Sequence, residues 1–182
     1  MWYSIDLTLL KKINLGRNTS LDSFFIFITD SVAWVAFGVP VIFLIWNIIK
    51  KNRRRRNCLL YVFMSVGTSA IISTIIKNIV ARERPFITYP FIQKVTDGGS
   101  FSFPSGHTSD AFSFATAMTL AFPKWFVILP SVVWALGVGY SRIDLGVHYP
   151  SDVLGGIILG GSTAFIFHVL KRKRERQDFS TN

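Results

Sequence analysis

In Ser141-Arg-Ile-Asp-Leu-Gly-Val-His148-Tyr-Pro-Ser-Asp152 a histidine is followed four residues on by a carboxylate. An imidazole so placed can act as a nucleophile or base held by its orienting partner. Arg142 adds a planar fork suited to two phosphate oxygens. Lys77 and Arg84 are seven residues apart. On one helix that is about two turns, so both cations would point to one side, with Pro85 ending the helix. Pro104-Ser105-Gly106-His107 reads as a helix start, where unpaired N–H groups and the positive end of the dipole receive anions. Gly106 lets a ligand approach the backbone, and His107 reaches the same anion. Each stretch alone has a plainer reading: snorkelling cations at an interface, an ordinary cap with a hydrogen-bonded histidine, or an interfacial ion network. Together they supply three fixed cations, an N–H cradle, two histidines and one carboxylate. That set suits attack on a phosphoryl group, where positioning and neutralisation of charge on the equatorial oxygens dominate. Arg82 falls on a different helix face from Arg84 and reads as an interfacial charge. Asp110, one turn into the helix after His107, either tunes that histidine, contacts substrate, or faces water.

The residues around these stretches are those of a membrane protein. Of 182 residues 50% are hydrophobic and 16% charged, with mean hydropathy +0.40. The apolar residues fall in long uncharged runs for which a soluble core has no use. A net charge of +10 could suggest nucleic acid, but 11 of the 20 basic residues form two clusters flanking apolar spans, Lys50 to Arg56 and Lys171 to Arg176. That is topology-setting charge, and no nucleic-acid partner is expected. The single cysteine, Cys58, excludes an intramolecular disulfide, and no Cys/His cluster suggests a metal site. Lys11 and Lys12 follow the first apolar residues and no small-residue cleavage site is apparent, so insertion through the chain's own spans is expected.

The expected fold is all-α: a polytopic membrane helix bundle of about five transmembrane helices plus an N-terminal amphipathic helix. Residues 4–15 carry Ile5, Leu9, Leu10 and Ile13 at helical spacing and are too short and polar to cross a bilayer; Asn18 to Asp22 reads as a turn. Spans are expected over Val32–Ile49, Leu59–Ile79, the stretch after Pro104 to Phe122 with Ser105 as N-cap, Trp125–Tyr140, and about Asp152–Leu170. Residues 24–29 extend the first span or form a sixth segment. Ser65, Gly67, Ser69 and Ala70 are small enough for a neighbouring helix to approach. Residues 86–103 form a long irregular segment of the kind that is functional or disordered. Residues 1–176 are expected to form a single integral-membrane domain, and 177–182 a loose polar cytoplasmic tail.

Five spans put the basic segments 50–56, 123–124 and 171–182 on one face, which the positive-inside rule makes cytoplasmic. The N-terminal segment, residues 77–107 and residues 141–152 then share the opposite face. A helix from Gly106 to Phe122 has 17 residues, about 25 Å at 1.5 Å per residue. Its start would therefore lie at headgroup depth, which favours a lipid phosphate over a soluble ester.

Lys77-x6-Arg84-Pro85, Pro104-Ser-Gly-His107 and Ser141-Arg-x5-His148-x3-Asp152 resemble the three-part signature of the type 2 phosphatidic acid phosphatase family at 11 positions. The signature covers residues 77–152, and the span pattern extends the likeness. The resemblance implies that Lys77, Arg84 and Arg142 bind phosphoryl oxygens, assisted by the Ser105 hydroxyl and the Gly106 N–H. It implies that His148 attacks phosphorus to form a phosphohistidine, that Asp152 holds the His148 tautomer, and that His107 protonates the leaving oxygen and then activates water. It implies no cofactor and no metal. The implied location is the bacterial cell (inner) membrane, with the site facing outside the cytoplasm. Size and sidedness resemble small bacterial enzymes acting on undecaprenyl pyrophosphate; related members act on phosphatidylglycerophosphate or lipid A phosphates. The segment from Phe86 to Phe103, with Lys94, is the expected substrate selector. The opposing expectation is a non-catalytic lipid-binding scaffold, against which the intact His107, His148 and Asp152 speak.

Overall fold

A computed structural model describes the backbone of residues 2–180 and the side chains of residues 4–177. All regular structure among the described residues is helical: α1 (Trp2–Leu15), α2 (Asp22–Asp30), α3 (Val39–Ile49), α4 (Arg53–Val80), the single turn α5 (Pro85–Thr88), α6 (Gly106–Ala121), α7 (Trp125–Asp144) and α8 (Pro150–Ser180). Among the described residues, four stretches are long and apolar enough to cross a membrane: Thr19–Ile49, Arg53–Thr88, Trp125–Asp144 and Pro150–Gln177. The first joins α2 to α3 through a π-helical turn at Ala33–Gly38, so residues 24–29 extend that stretch and make no separate segment. At 16 residues, or about 24 Å, α6 is shorter than α4, α7 and α8. It is also the central one, packed by α4, α7 and α8.

Helix boundaries differ from the sequence reading mainly at the polar ends. The helix α7 runs past Tyr140 to Asp144 and carries Arg142 inside its last turn. Arg53 to Arg56 form the first turn of α4, with the Asn52 side chain accepting from the Arg55 N–H. At the other end α4 stops at Val80 because Ala81 turns left-handed (φ 47°). Pro85 is therefore not what ends it, and Arg84 lies outside α4 as the extended residue before α5. Pro150 opens α8 as expected, its missing N–H being harmless there. The expected loose tail is helical through Ser180; residues 181 and 182 fall outside the described residues.

Small residues set how closely the central helices approach. On α8, a Cβ at Gly156 would lie 2.7 Å from the Ser105 carbonyl oxygen, and one at Gly160 only 2.1 Å from that of Ser109. The two glycines are one turn apart, so α8 meets the α6 backbone along a small-residue stripe. Ser65, Ser69 and Ser73 form the matching stripe on α4, all buried, with Ser69 Oγ 2.7 Å from Ser109 Oγ. Gly67, expected on that face, meets only open space. Val32, Ala36, Val62, Val66, Ala111, Phe114 and Val138 fill the core between these helices.

The amphipathic α1 is seated by a mixed face. Leu10 is fully buried, whereas Ile5 and Leu9 are about half exposed. Buried beside Leu10, one turn to either side, are Asp6 and Asn14. Asn14 Nδ2 donates to the Gln93 and Asp144 carbonyls, and its Oδ1 accepts from the Gln93 N–H. This fixes α1 at the end of the bundle where α4 and α7 finish and α6 and α8 begin. Cys58, Ala121 and Lys171 line a small pocket at the opposite end.

Candidate functional site

The three polar stretches meet at that first end. The imidazole of His148, 1% exposed, is held from both sides. Its Nδ1 lies 3.5 Å from Asp152 Oδ2, and its Nε2 3.3 Å from Arg84 Nη1. The carboxylate can only accept, so Nδ1 carries the proton and Nε2 presents its lone pair. Burial, with Arg142 and Arg84 adding to it, pushes the His148 pKa down to about 3, against the opposing effect of the hydrogen bond that the ring donates to Asp152. The ring is neutral across the physiological range. Its backbone is fixed by the His148 N–H bond to the Arg142 carbonyl, 3.1 Å.

Arg84 and Arg142 are both almost wholly buried, while Lys77 is half-buried in the last turn of α4. The loop at 97–101 organises all three through its carbonyls. Arg84 Nε donates to Ser100 O at 2.6 Å and Arg84 Nη2 to Phe101 O at 3.2 Å. Lys77 Nζ donates to the same Phe101 O at 3.0 Å, which brings the two cationic heads together although Arg84 is not on the helix of Lys77. Arg142 Nη2 reaches Asp97 O at 3.4 Å, and its Nη1 donates to the buried Thr29 Oγ1 at 2.7 Å. Arg142 Nε is buried without a partner. The loop can wrap Arg84 this tightly because residue 98 is glycine: a Cβ there would lie 2.8 Å from Arg84 Cδ and 3.0 Å from the Phe86 ring. The segment expected to select substrate holds the three cations through its backbone.

Gly106 opens α6 facing Lys77, whose Cε would lie 3.7 Å from a Cβ at residue 106. Ser105 occupies the N-cap position, but its hydroxyl bonds Thr108 Oγ1 (2.8 Å) instead of a backbone N–H. Its own N–H is held by the Asp152 carbonyl at 3.0 Å, which ties the second stretch to the third. His107, in the first turn, is partly buried and within electrostatic reach of Arg142, Lys77 and Arg84. The Oδ1 of Asp110 is buried without a partner, while the residue as a whole is partly buried.

The residues missed by the sequence reading lie behind Asp152. Its Oδ2 accepts from Ser102 Oγ (2.5 Å) and the Tyr149 N–H (2.9 Å), and its Oδ1 from Arg82 Nη1 at 2.6 Å. Arg82 is therefore bonded to the carboxylate of the third stretch and is no mere interfacial charge. The left-handed turn at Ala81 redirects it. Helix phase, which separated Arg82 from Arg84, says nothing beyond Val80. Thr29, Ser102 and Asp6 are single polar residues in segments without a motif, and the sequence reading singled out none of them.

An array of this kind holds a neutral, oriented imidazole against cations that can neutralise a phosphoryl group. Comparison with known proteins gives the family. The pattern of the PAP2 superfamily matches residues 58–176. The chain is 32% identical to undecaprenyl-diphosphatase BcrC of Bacillus subtilis over 83% of this chain and 75% of that protein. It is 28% identical to lipid A 4'-phosphatase of Bacteroides thetaiotaomicron over 93% of this chain and 78% of that one. The crystal structure of a PAP2-type phosphatidylglycerolphosphate phosphatase from Bacillus subtilis superposes with a TM-score of 0.75 at 30% identity, covering 94% of this chain and 86% of that one. With its spans, its three converging stretches and these relatives, the chain is a multi-pass membrane protein that belongs to the PAP2 superfamily of lipid phosphatases.

Proposed function

We propose that the protein hydrolyses a lipid (pyro)phosphate at the extracytoplasmic face of a bacterial inner membrane through a phosphohistidine, with undecaprenyl pyrophosphate as substrate. The observation that carries this reading is the His148 ring, with Nδ1 toward Asp152 and Nε2 toward Arg84. The Nε2 lone pair forms the bond to phosphorus as the bond from phosphorus to the bridging oxygen breaks. The electron pair leaves on the lipid-bearing phosphate, and His107 gives that oxygen a proton. The phosphate's negative charge makes a protonated His107 compatible with three nearby cations. Arg84, Arg142 and Lys77 then bind the equatorial oxygens, assisted by the Gly106 N–H at the α6 N-terminus and the Ser105 hydroxyl. Asp152 accepts from Nδ1–H and stabilises the cationic phosphoimidazole. In the second half, His107 takes a proton from water, whose oxygen displaces Nε2 and releases inorganic phosphate. Fixed cations take the role a metal would otherwise have.

The diphosphate substrate is supported by the likeness to the Bacillus subtilis undecaprenyl-diphosphatase. The lipid A 4'-phosphatase relative, aligned over 93% of this chain, favours a phosphomonoester on a lipid as the second reading. Purified protein in detergent, with chelator present, is expected to release phosphate from undecaprenyl pyrophosphate with the highest kcat/KM in a panel that includes phosphatidylglycerophosphate and lipid A. His148→Ala should abolish turnover. Retained turnover in that variant overturns the mechanism, a better monoester overturns the substrate, and no turnover on any lipid phosphate leaves a lipid-binding scaffold.

A further inference from the structure

Beyond Asp152 the hydrogen-bond chain continues to the N-terminal helix. The Arg82 guanidinium divides between two carboxylates: Nη1 donates to Asp152 Oδ1 at 2.6 Å, and Nη2 to Asp6 Oδ2 at 2.7 Å. Ser151, next to Asp152, binds both partners. Its Oγ accepts from Arg82 Nη1 at 2.7 Å and donates to Asp6 Oδ2, and its N–H donates to Asp6 Oδ1 at 2.8 Å. The guanidinium also lies over the Tyr149 ring, 3.8 Å from its centroid. The Arg82 backbone carbonyl accepts from the Ser102 N–H at 2.8 Å, and the Ser102 hydroxyl donates to Asp152 Oδ2. One residue thus holds both oxygens of Asp152, Oδ1 by its side chain and Oδ2 through Ser102. Asp6 is 8% exposed.

We propose that Asp6 is a positioning residue for phosphoryl transfer, acting through Arg82 and Asp152 on His148; this rests on the reading of His148 as the nucleophile. Arginine alone beside Asp152 would favour a bidentate fork on both carboxylate oxygens, in competition with the His148 Nδ1–H for Oδ2. It would also cancel the charge that must stabilise the ring once it carries a phosphoryl group. Asp6 removes one arm of the fork and restores the balance: two carboxylates and one guanidinium leave a net charge of −1 behind the imidazole. The N-terminal helix, which holds none of the three signature stretches, thereby contributes to the site from the far end of the sequence.

The test compares wild type with Asp6→Asn, which keeps the shape and removes the charge, and with Asp6→Glu. Each is assayed for kcat and KM on undecaprenyl pyrophosphate in detergent, for Tm, and by 15N NMR of histidine-labelled protein. The chain has only 3 histidines, and the His148 signals are those lost in His148→Gln. Asp6→Asn is expected to lower kcat by about tenfold or more, in the range seen when an orienting partner is lost. KM should stay within about twofold, because Asp6 does not touch the phosphate subsite. The His148 nitrogen signals should move away from the Nδ1–H pattern, and Asp6→Glu should restore most of kcat. Unchanged kcat and His148 signals in Asp6→Asn overturn the proposal. So does a joint fall of kcat and Tm with unmoved His148 signals and no recovery by glutamate, which marks a purely structural tie. If Asp6→Asn does not fold, Ser151→Ala loosens the same carboxylate and should move the signals in the same direction; if it leaves them unmoved, the proposal fails. A wild type without turnover on any lipid phosphate defeats the proposed function, whereas the nitrogen signals still decide the link from Asp6 to His148.

Discussion

His148 behaves unlike a solvent histidine because it is enclosed on all sides, and the consequence is measurable as stability. Its pKa falls from 6.5 to about 3, with burial as the leading cause. Between those values the unfolded chain binds a proton that the folded chain does not. Stability therefore rises with pH through this window and is lost as pH falls from 6.5 toward 3. The Tm of wild type should decline across that range more steeply than that of His148→Gln; parallel declines would mean that another group dominates. At pH 6 to 8 His148 does not titrate, so a pH–rate limb in that range belongs to another group. The signature residues were legible because their types and spacing are set by chemistry. Arg82 was not, since its role depends on the left-handed residue Ala81, an alanine with no sequence mark of that conformation. Asp6 was illegible for a different reason. It bonds to residues far along the chain, and only the packing of α1 brings them together.

The loop between α5 and α6 shows how an element without regular structure can set a site. Its carbonyls at residues 97, 100 and 101 hold three cations, and Gly98 allows the backbone to close around Arg84. Arg84 has little freedom to yield, being bonded to Ser100, Phe101 and Val147. Gly98→Ala should therefore displace the loop or the guanidinium. It is expected to lower kcat/KM by about 10- to 100-fold, the scale of a misplacement of roughly 1 Å at a reacting centre. Gly67→Ala is the control. It lies inside α4 with open space around it, so it should leave activity unchanged and gain about 0.5–1 kcal/mol of helix stability. Equal activity in wild type and Gly98→Ala would show that the loop does not set the cations. The sequence placed this segment as irregular, and as functional or disordered, from its length. It did not reveal that backbone carbonyls, which carry no residue identity, make the contacts.

At the scale of the whole molecule, charge and geometry make separate statements that meet. The chain direction of α4, α6, α7 and α8 puts residues 77–107 and 141–152 at one end, with α1 fixed there by Asp6 and Asn14. The basic segments at 50–56, 124 and 171–176 gather at the other, where Cys58 and Lys171 line one pocket. The sequence reading counted five spans, which put the basic segments on one face; the short central α6 is the one counted there beyond the four long apolar stretches. Its small residues, and the glycines of α8 that face it, let a helix of 16 residues hide inside a bundle of longer ones. A helix shielded by protein need not match the bilayer alone. The positive-inside rule makes the extracytoplasmic side the expected one for the site. Because Cys58 is the only cysteine and is buried, a Cys58→Ser background allows a direct check with a membrane-impermeant thiol reagent on intact cells. Asp97→Cys, whose side chain is fully exposed, should be labelled without permeabilisation. Lys124→Cys, exposed at the other end, should be labelled only after it. The reverse pattern would place the His148 site on the cytoplasmic face. Labelling of both in intact cells would mean that α6 does not separate the two ends across the bilayer.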